Sequence, residues 1–266
     1  MINPRSGNER PTAEELMAAA RERGVEGRIL RPGEDAAELA RATGAGILGM
    51  AGGDGSLGAV AQVALETDAG FVAVPFGTRN HFARDAGYDR NGPVAALDAF
   101  VDGVERRVDV GRVGDRIFLN NVSLGAYAGL VRRREHHRRR GETLARVRAF
   151  AAVAGHRHHL HARANGEHLH ARVILVGNNR YELRLFTLGE RPKLDEGVLD
   201  LWAAAGVLPT TWEEHVAQRF RLELPRARVR AAIDGEPAEL EAPLELESLP
   251  QALRLLLPDT RTRQPR

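Results

Sequence analysis

Gly52-Gly53-Asp54-Gly55-Ser56 and, one strand further on, Pro75-Phe76-Gly77-Thr78-Arg79-Asn80 are the stretches whose reading decides the fold. Ahead of the first lies Ile47-Leu48-Gly49-Met50-Ala51, short, apolar and bounded by glycines, which reads as a buried strand. Behind it, Ser56 to Leu65 reads as a helix. Strand, glycine turn and helix make a phosphate cradle. Glycines let main-chain N–H groups approach an anion, Ser56 is placed to cap the helix, and the helix N-terminus points to the same spot. A second strand, Phe71-Val72-Ala73-Val74, delivers the Pro-Phe-Gly-Thr-Arg-Asn turn to the same sheet edge. A carboxylate beside a triphosphate is repulsive unless Mg²⁺ lies between them or the acid faces the nucleophile. Asp54 therefore points to phosphoryl transfer. Alone, Gly-Asp-Gly would be only a capped turn; the second loop shifts the balance to function.

Upstream of the cradle, Thr12-Ala13-Glu14-Glu15 is a capping box, Leu16 and Met17 begin an apolar face, and Gly24 closes the helix. A short strand at Arg28-Ile29-Leu30 and a helix from Asp35 to Ala42 continue an α/β alternation, the pattern of a parallel sheet. Gly44, Gly46 and Gly49 match the dinucleotide spacing Gly-x-Gly-x-x-Gly. They precede or lie within the strand instead of following it, so a dehydrogenase reading is set aside. After Asn80 a short helix carries His81 to Arg84, and another runs from Pro93 to Val101 and ends at Gly103. From Arg106 the pattern changes to strands, first Val108 to Gly111 and then Ile117 to Val122. The predicted boundary lies near residue 110, with a nucleotide-binding α/β domain over 1–110 and a β-rich domain over 111–266. The last segment of the chain is expected to pack back on the first domain.

The chain has 266 residues, enough for two modest domains, and its 43% hydrophobic content is that of a soluble globular protein. Lys193 is its only lysine. No Gly-x-x-x-x-Gly-Lys loop exists, and a lysine anchor of the protein-kinase type is lacking, so phosphates must be held by backbone, metal or arginine. With no cysteine, disulfides, thiolate metal sites and a cysteine nucleophile are excluded. The start, Met1 to Gly7, lacks the apolar core of a signal peptide, and no run approaches the ~18 apolar residues of a membrane span. The expected location is cytoplasmic, with any membrane contact peripheral.

In the second half, the run from Arg132 to Arg140 is the densest charge. It reads as a solvated face, as an attractor for an anionic membrane surface, or as a contact for nucleic-acid phosphates. The last is the weakest reading, because no aromatic residues interleave. A helix is predicted from Thr143 to Ala154. Asn165-Gly166 is a two-residue hairpin turn that sets Arg163 opposite His168 and His161 opposite His170. His159, His161, His168 and His170 then share one face with Arg163 and Arg172, cations that oppose a divalent metal, so a solvent-facing surface is the better reading than a zinc or nickel site. Further on come a strand from Val173 to Val176, a helix from Thr211 to Phe220, and an Asp234-Gly235 hairpin turn followed by Glu236. Closing strands are expected at Leu244 to Glu247 and Leu253 to Leu257.

Gly-Gly-Asp-Gly-Ser followed by Pro-Phe-Gly-Thr-Arg-Asn-His-Phe-Ala-Arg resembles the catalytic domain of the diacylglycerol kinase, sphingosine kinase and ceramide kinase family, above all its soluble bacterial members. Asn3-Pro4-Arg5-Ser6-Gly7 and Asp234-Gly235-Glu236 extend the resemblance over nearly the whole chain. It implies a Rossmann-like α/β nucleotide domain, an antiparallel β-sandwich domain and an active cleft between them. It further implies an ATP- and Mg²⁺-dependent lipid kinase whose acceptor is the hydroxyl of diacylglycerol or a sphingoid base. ATP is expected along Asn3, Pro4, Arg5, Ser6 and Gly7, along Gly52, Gly53, Asp54, Gly55 and Ser56, and along Gly77, Thr78 and Asn80. The resemblance points to Asp234 as the base with Glu236 supporting it, and to Asp54 as a metal or water ligand; in the sphingosine-kinase branch the acid corresponding to Asp54 is given the base's role. Lys193-Leu194-Asp195-Glu196-Gly197-Val198 resembles the family's Leu-Asp-Asp-Gly loop, which binds Mg²⁺ through the carbonyls here belonging to Lys193 and Val198 and the carboxylate here of Glu196. Glutamate replaces the family's second aspartate there, His81 stands where the family usually has aspartate, and the first strand is reduced to two residues. NAD kinases and phosphofructokinases carry similar glycine turns without the second motif. They and a non-catalytic nucleotide- or nucleic-acid-binding protein are the rival readings. The oligomeric state is left open, a homodimer included.

Overall fold

The computed structural model describes residues 1–7, 10–125, 160–182, 190–206 and 211–259. The chain divides into two compact units, Met1–Asp109 with Gln251–Arg266, and Val110–Pro250.

In the first unit the parallel strands β1 (Ile47–Gly52) and β2 (Gly70–Pro75) pair from Ile47↔Gly70 to Gly52↔Pro75. Both are almost wholly buried, as expected of parallel strands covered on two faces. Ile2 adds parallel bridges to Ile29 and Ala51, and the expected strand at Arg28 to Leu30 amounts to that single bridge. Helix α1 (Ala13–Glu22) starts on the capping box: the Thr12 hydroxyl accepts from the Glu15 N–H and the Glu15 carboxylate from the Thr12 N–H. The helix buries Ala13, Leu16, Met17 and Ala20. Helix α2 (Ala36–Thr43) is capped by Asp35 and ends on Gly44 at φ 59°. Between β1 and β2 lies α3 (Asp54–Thr67), burying Leu57, Val60, Ala61, Val63 and Ala64. Beyond β2 come three short helices, α4 (His81–Ala86), α5 (Pro93–Ala96) and α6 (Ala99–Asp102). The helix expected from Pro93 to Val101 is thus two separate turns.

The second unit is an antiparallel β-sandwich. Strand β3 (Gly103–Val113) enters it and pairs with β4 (Arg116–Phe118). One layer runs in the order β10 (Trp212–Ala217), β9 (Leu199–Ala204), β8 (Val173–Asn178), β5 (Asn121–Gly125), β12 (Arg228–Ile233) and β13 (Glu236–Glu241). Facing it are the hairpin β6 (Leu160–Ala164) and β7 (Glu167–Ala171), β11 (Arg219–Glu223) and the first part of β14 (Leu244–Pro258). Between the layers Val122, Leu124, Ile174, Leu199 and Leu201 meet Leu169, Phe220, Leu222, Leu244 and Leu246 in one core. The last part of β14 belongs to the first unit, where Leu255 pairs in parallel with Phe71.

Three expectations about the strands are corrected. The stretch Thr211 to Phe220, expected as a helix, is strand: β10 pairs along β9, Trp212 meets Trp202 edge-on at 6.4 Å between ring centroids, and β11 joins the opposite layer. Sheet neighbours override local propensity there. The two closing strands are the single strand β14, bent at Gln251 where φ is 49° and the N–H donates to Asp109 Oδ1. The strand expected from Ile117 to Val122 is broken at Leu119 and Asn120, where the chain leaves one layer for the other. The register predicted for the histidine hairpin, Arg163↔His168 and His161↔His170, is the one observed, and His161, His168 and His170 are exposed. His159, the run from Arg132 to Arg140 and the helix expected from Thr143 to Ala154 lie outside the described residues. Among the described residues no helix is long and apolar enough to cross a membrane.

Candidate active site

In the first unit three loops meet at the start of α3. A Cβ on Gly77 would lie 2.4 Å from Gly53 Cα, so the glycine turn and the second loop touch main chain to main chain. A Cβ on Gly7 would lie 2.6 Å from the Phe76 ring, which brings in the third loop. Ser56 joins the same cluster by its side chain: Asn3 Nδ2 donates to its hydroxyl at 2.9 Å, and Ser6 Oγ lies 3.4 Å away. This corrects the capping role expected of Ser56. The N-cap is Gly53, without a side-chain cap, and the Ser56 N–H donates to Gly53 O at 2.8 Å. The N–H groups of Gly53 and Gly55 have no hydrogen-bond partner among the described residues. Pro4, Arg5 and Thr78 are exposed, and Gly52 is buried.

Asn80 and Asp54 build the cradle from within. Asn80 is buried at φ 50°; its Oδ1 accepts from the Gly77 N–H, and its Nδ2 donates to Gly77 O and Arg90 O. That side chain closes its own loop. The Asp54 carboxylate accepts from the N–H groups of His81 at 3.1 Å and Phe82 at 2.9 Å, tying the glycine turn to the first turn of α4. Burial pushes the His81 imidazole below its ordinary value, against the pull of the neighbouring Asp54 carboxylate.

In the second unit Asp234 sits at the β12–β13 turn at φ 48°, followed by Gly235 at φ 85°, the pair of positive values a two-residue hairpin demands. The residue is 8% exposed, and its carboxylate accepts three backbone N–H groups, from Leu119 and Asn120 at 2.7 Å and Asn121 at 2.9 Å. These belong to the crossing that breaks the expected strand. Glu236, two residues on, is exposed.

The loop from Lys193 to Val198 is organised by Asn179. The Asn179 N–H donates to Val198 O, its Oδ1 accepts from the Glu196 N–H, and one oxygen of the Glu196 carboxylate accepts from the Arg180 N–H. Gly197, at φ 69°, lets the chain turn between Glu196 and Val198. Lys193 is exposed. Two carbonyls and one carboxylate are hard oxygen donors of the kind Mg²⁺ takes alongside retained waters, so the residues present fit that ion. Among the described residues no group of three or more His, Asp or Glu side chains gathers to hold a metal.

The sequence passed over Arg191, Tyr181 and Asn120. Arg191 is 2% exposed and donates to Leu119 O, Asn178 O and Asn120 Oδ1. Nothing in its neighbourhood distinguishes it from the many exposed arginines; only the fold buries it.

A sequence model described as the diacylglycerol kinase catalytic domain matches residues 1–113. The chain is 30% identical over 287 residues to a Pseudomonas aeruginosa protein called "Probable lipid kinase YegS-like", covering 95% of this chain and 91% of that one. It is 28% identical over 259 residues to a diacylglycerol kinase of Mycobacterium tuberculosis, covering 84% and 80%. Among solved structures, a diacylglycerol kinase from Bacillus anthracis superposes with a TM-score of 0.69 at 19% identity over 96% of this chain and 95% of that one, a likeness of fold. Fold and relatives together define a phosphotransferase. The chain belongs to the diacylglycerol kinase family of lipid kinases.

Proposed function

We propose that this protein transfers the γ-phosphoryl group of ATP, with Mg²⁺, to the hydroxyl of a lipid such as diacylglycerol or a sphingoid base. The observation that carries the reading is the cradle. Gly53 and Gly77 meet with no room for a side chain, and the amides of Gly53 and Gly55 open at the N-terminus of the fourteen-residue helix α3. With a single lysine in the chain, polyphosphate is left to main-chain amides, metal or arginine, and the helix N-terminus supplies the first of these. The nucleotide would lie along Asn3–Gly7, Gly52–Ser56 and Gly77–Asn80, with Asn80 and Asp54 keeping the loops in place.

In-line transfer also needs a group to take the acceptor's proton. That role is assigned to Asp234, with Glu236 supporting it. Asp54 is assigned to Mg²⁺ or one of its waters, and Lys193 O, Val198 O and the Glu196 carboxylate to a Mg²⁺ that braces the β unit. When bound, Mg²⁺ offsets the charge on the phosphoryl oxygens. The basic run from Arg132 to Arg140 would draw the enzyme to anionic bilayers. The test is incubation with labelled ATP, Mg²⁺ and vesicles containing diacylglycerol or sphingosine. Label entering the organic phase supports the reading; its absence with every lipid alcohol tried, alongside salt-sensitive binding to random-sequence DNA, would replace it.

A further inference from the structure

We propose that Arg191 is a positioning residue for Asp234, acting through the peptide group that joins Leu119 to Asn120. The inference rests on the assignment of Asp234 as the base. The chain of bonds is short. Arg191 Nη1 donates to Leu119 O at 2.6 Å, and the N–H at the other end of that same peptide group, on Asn120, donates to Asp234 Oδ1 at 2.7 Å. The next peptide group repeats the pattern. Tyr181 Oη and the Asn178 N–H donate to Asn120 O at 3.1 and 2.8 Å, while the Asn121 N–H donates to the same Asp234 oxygen at 2.9 Å. A donor on the carbonyl polarises the peptide and strengthens the hydrogen bond donated by the N–H on its far side, because hydrogen bonds in a chain reinforce one another away from water. The crossing is therefore gripped on both edges, by the Arg191 guanidinium, the Tyr181 hydroxyl and the Asn178 N–H on its carbonyls and by a carboxylate along its amides.

The rest of the Arg191 environment fixes the guanidinium. Its Nη2 donates to Asn120 Oδ1 at 2.7 Å, its Nη1 reaches Asn178 O at 3.2 Å, and its Cζ lies 5.3 Å from the centre of the Tyr181 ring. That ring in turn covers Gly177, where a Cβ would lie 2.5 Å from a Tyr181 ring carbon. Burying a guanidinium is a poor way to gain stability, since desolvation offsets most of what the pairing returns. A fixed set of directed donors is what it supplies, and lysine cannot reproduce the fork. Arg191 also stands two residues before Lys193, where the loop to Val198 begins.

The test uses the full chain carrying Arg191→Gln, Arg191→Lys or Tyr181→Phe, with lipid phosphorylation and the backbone amide signals of residues 119–121 as readouts. For Arg191→Gln, kcat should fall by about 100-fold, the scale of loss for a misplaced reacting group. KM for ATP should stay within about twofold, because the cradle is built from other residues. The Asn120 and Asn121 amide protons should exchange faster and shift, with the residues of β1 unmoved. Arg191→Lys should recover only part of kcat, and Tyr181→Phe should lower it severalfold. A wild-type kcat in folded Arg191→Gln, or unchanged Asn120 and Asn121 amides, overturns the proposal; equal losses in kcat and ATP affinity would mark a general loosening instead and overturn it too. If Arg191→Gln does not fold, Tyr181→Phe decides by the same criteria. A wild-type protein that phosphorylates no lipid would sink the kinase reading, and the amide signals would still decide whether Arg191 grips the crossing.

Discussion

Asp54 and Asp234 each close a loop by accepting backbone N–H groups, yet one ties neighbours and the other ties opposite layers. Asp54 takes two amides from a helix start 27 positions further along the chain and remains partly accessible. Asp234 takes three from a crossing some 114 positions earlier and is nearly buried. The first is a cap placed on someone else's helix. The second is a clasp that holds the point where the chain passes between the sheets of a sandwich. A carboxylate serving more amides in a drier place should be harder to replace, and that difference can be measured.

The largest effect is expected at Asp234. In Asp234→Asn one oxygen becomes an amide donor facing backbone donors, so stability should fall by about 2–3 kcal/mol. Phosphate transfer should fall by about a thousandfold with loss of the base. Urea unfolding and turnover measure the two losses, and near-normal turnover would remove Asp234 from the mechanism. Asp54→Asn should lower transfer by a comparable factor while costing only about 1 kcal/mol of stability, the scale of a helix cap. If instead Asp54→Asn proves the more destabilising of the two, the contrast between cap and clasp fails. Gly77→Ala comes next. Its Cβ would press on Gly53 Cα at 2.4 Å, so KM for ATP should rise by about tenfold and stability fall by about 1 kcal/mol, with kcat little changed. An unaltered KM would mean the contact between the two loops does not shape the nucleotide site.

The smallest effect concerns His81, whose N–H is one of the two donors to Asp54. Burial lowers its folded value below the ordinary 6.5. Above 6.5 the imidazole is neutral whether folded or unfolded; as pH falls below that, the unfolded chain takes up the proton first and stability declines until the folded value is passed. His81→Asn should remove that share of the acid slope, seen as a flatter dependence of melting temperature on pH just below 6.5. An unchanged slope would show that His81 is not held neutral by the fold.

Much of this molecule was legible in its residues because local chemistry decides it. Thr12 and Glu15 mark a helix start through bonds made within three positions of themselves. Asn165-Gly166 and Asp234-Gly235 set hairpin registers because few other residues tolerate two consecutive positive φ angles. The glycines where the two loops touch were readable for a related reason: a missing side chain is a local fact, whatever it later touches.

What no local reading reached is what depends on partners far away in the chain. Trp212 to Ala217 has a sequence that suits a helix, and only the neighbouring strand β9 makes it a strand. Ser56 reads as a cap until the fold sets Asn3 and Ser6 against its hydroxyl. Arg191 looks like any surface arginine until three carbonyl oxygens surround it. The sequence by itself determined the hairpin turns, the Thr12–Glu15 capping box and the family, since each is written in residues that act on their immediate neighbours. The tertiary structure alone decided which amides meet which carboxylates, because a hydrogen bond spanning more than a hundred residues leaves no spacing in the chain by which to read it.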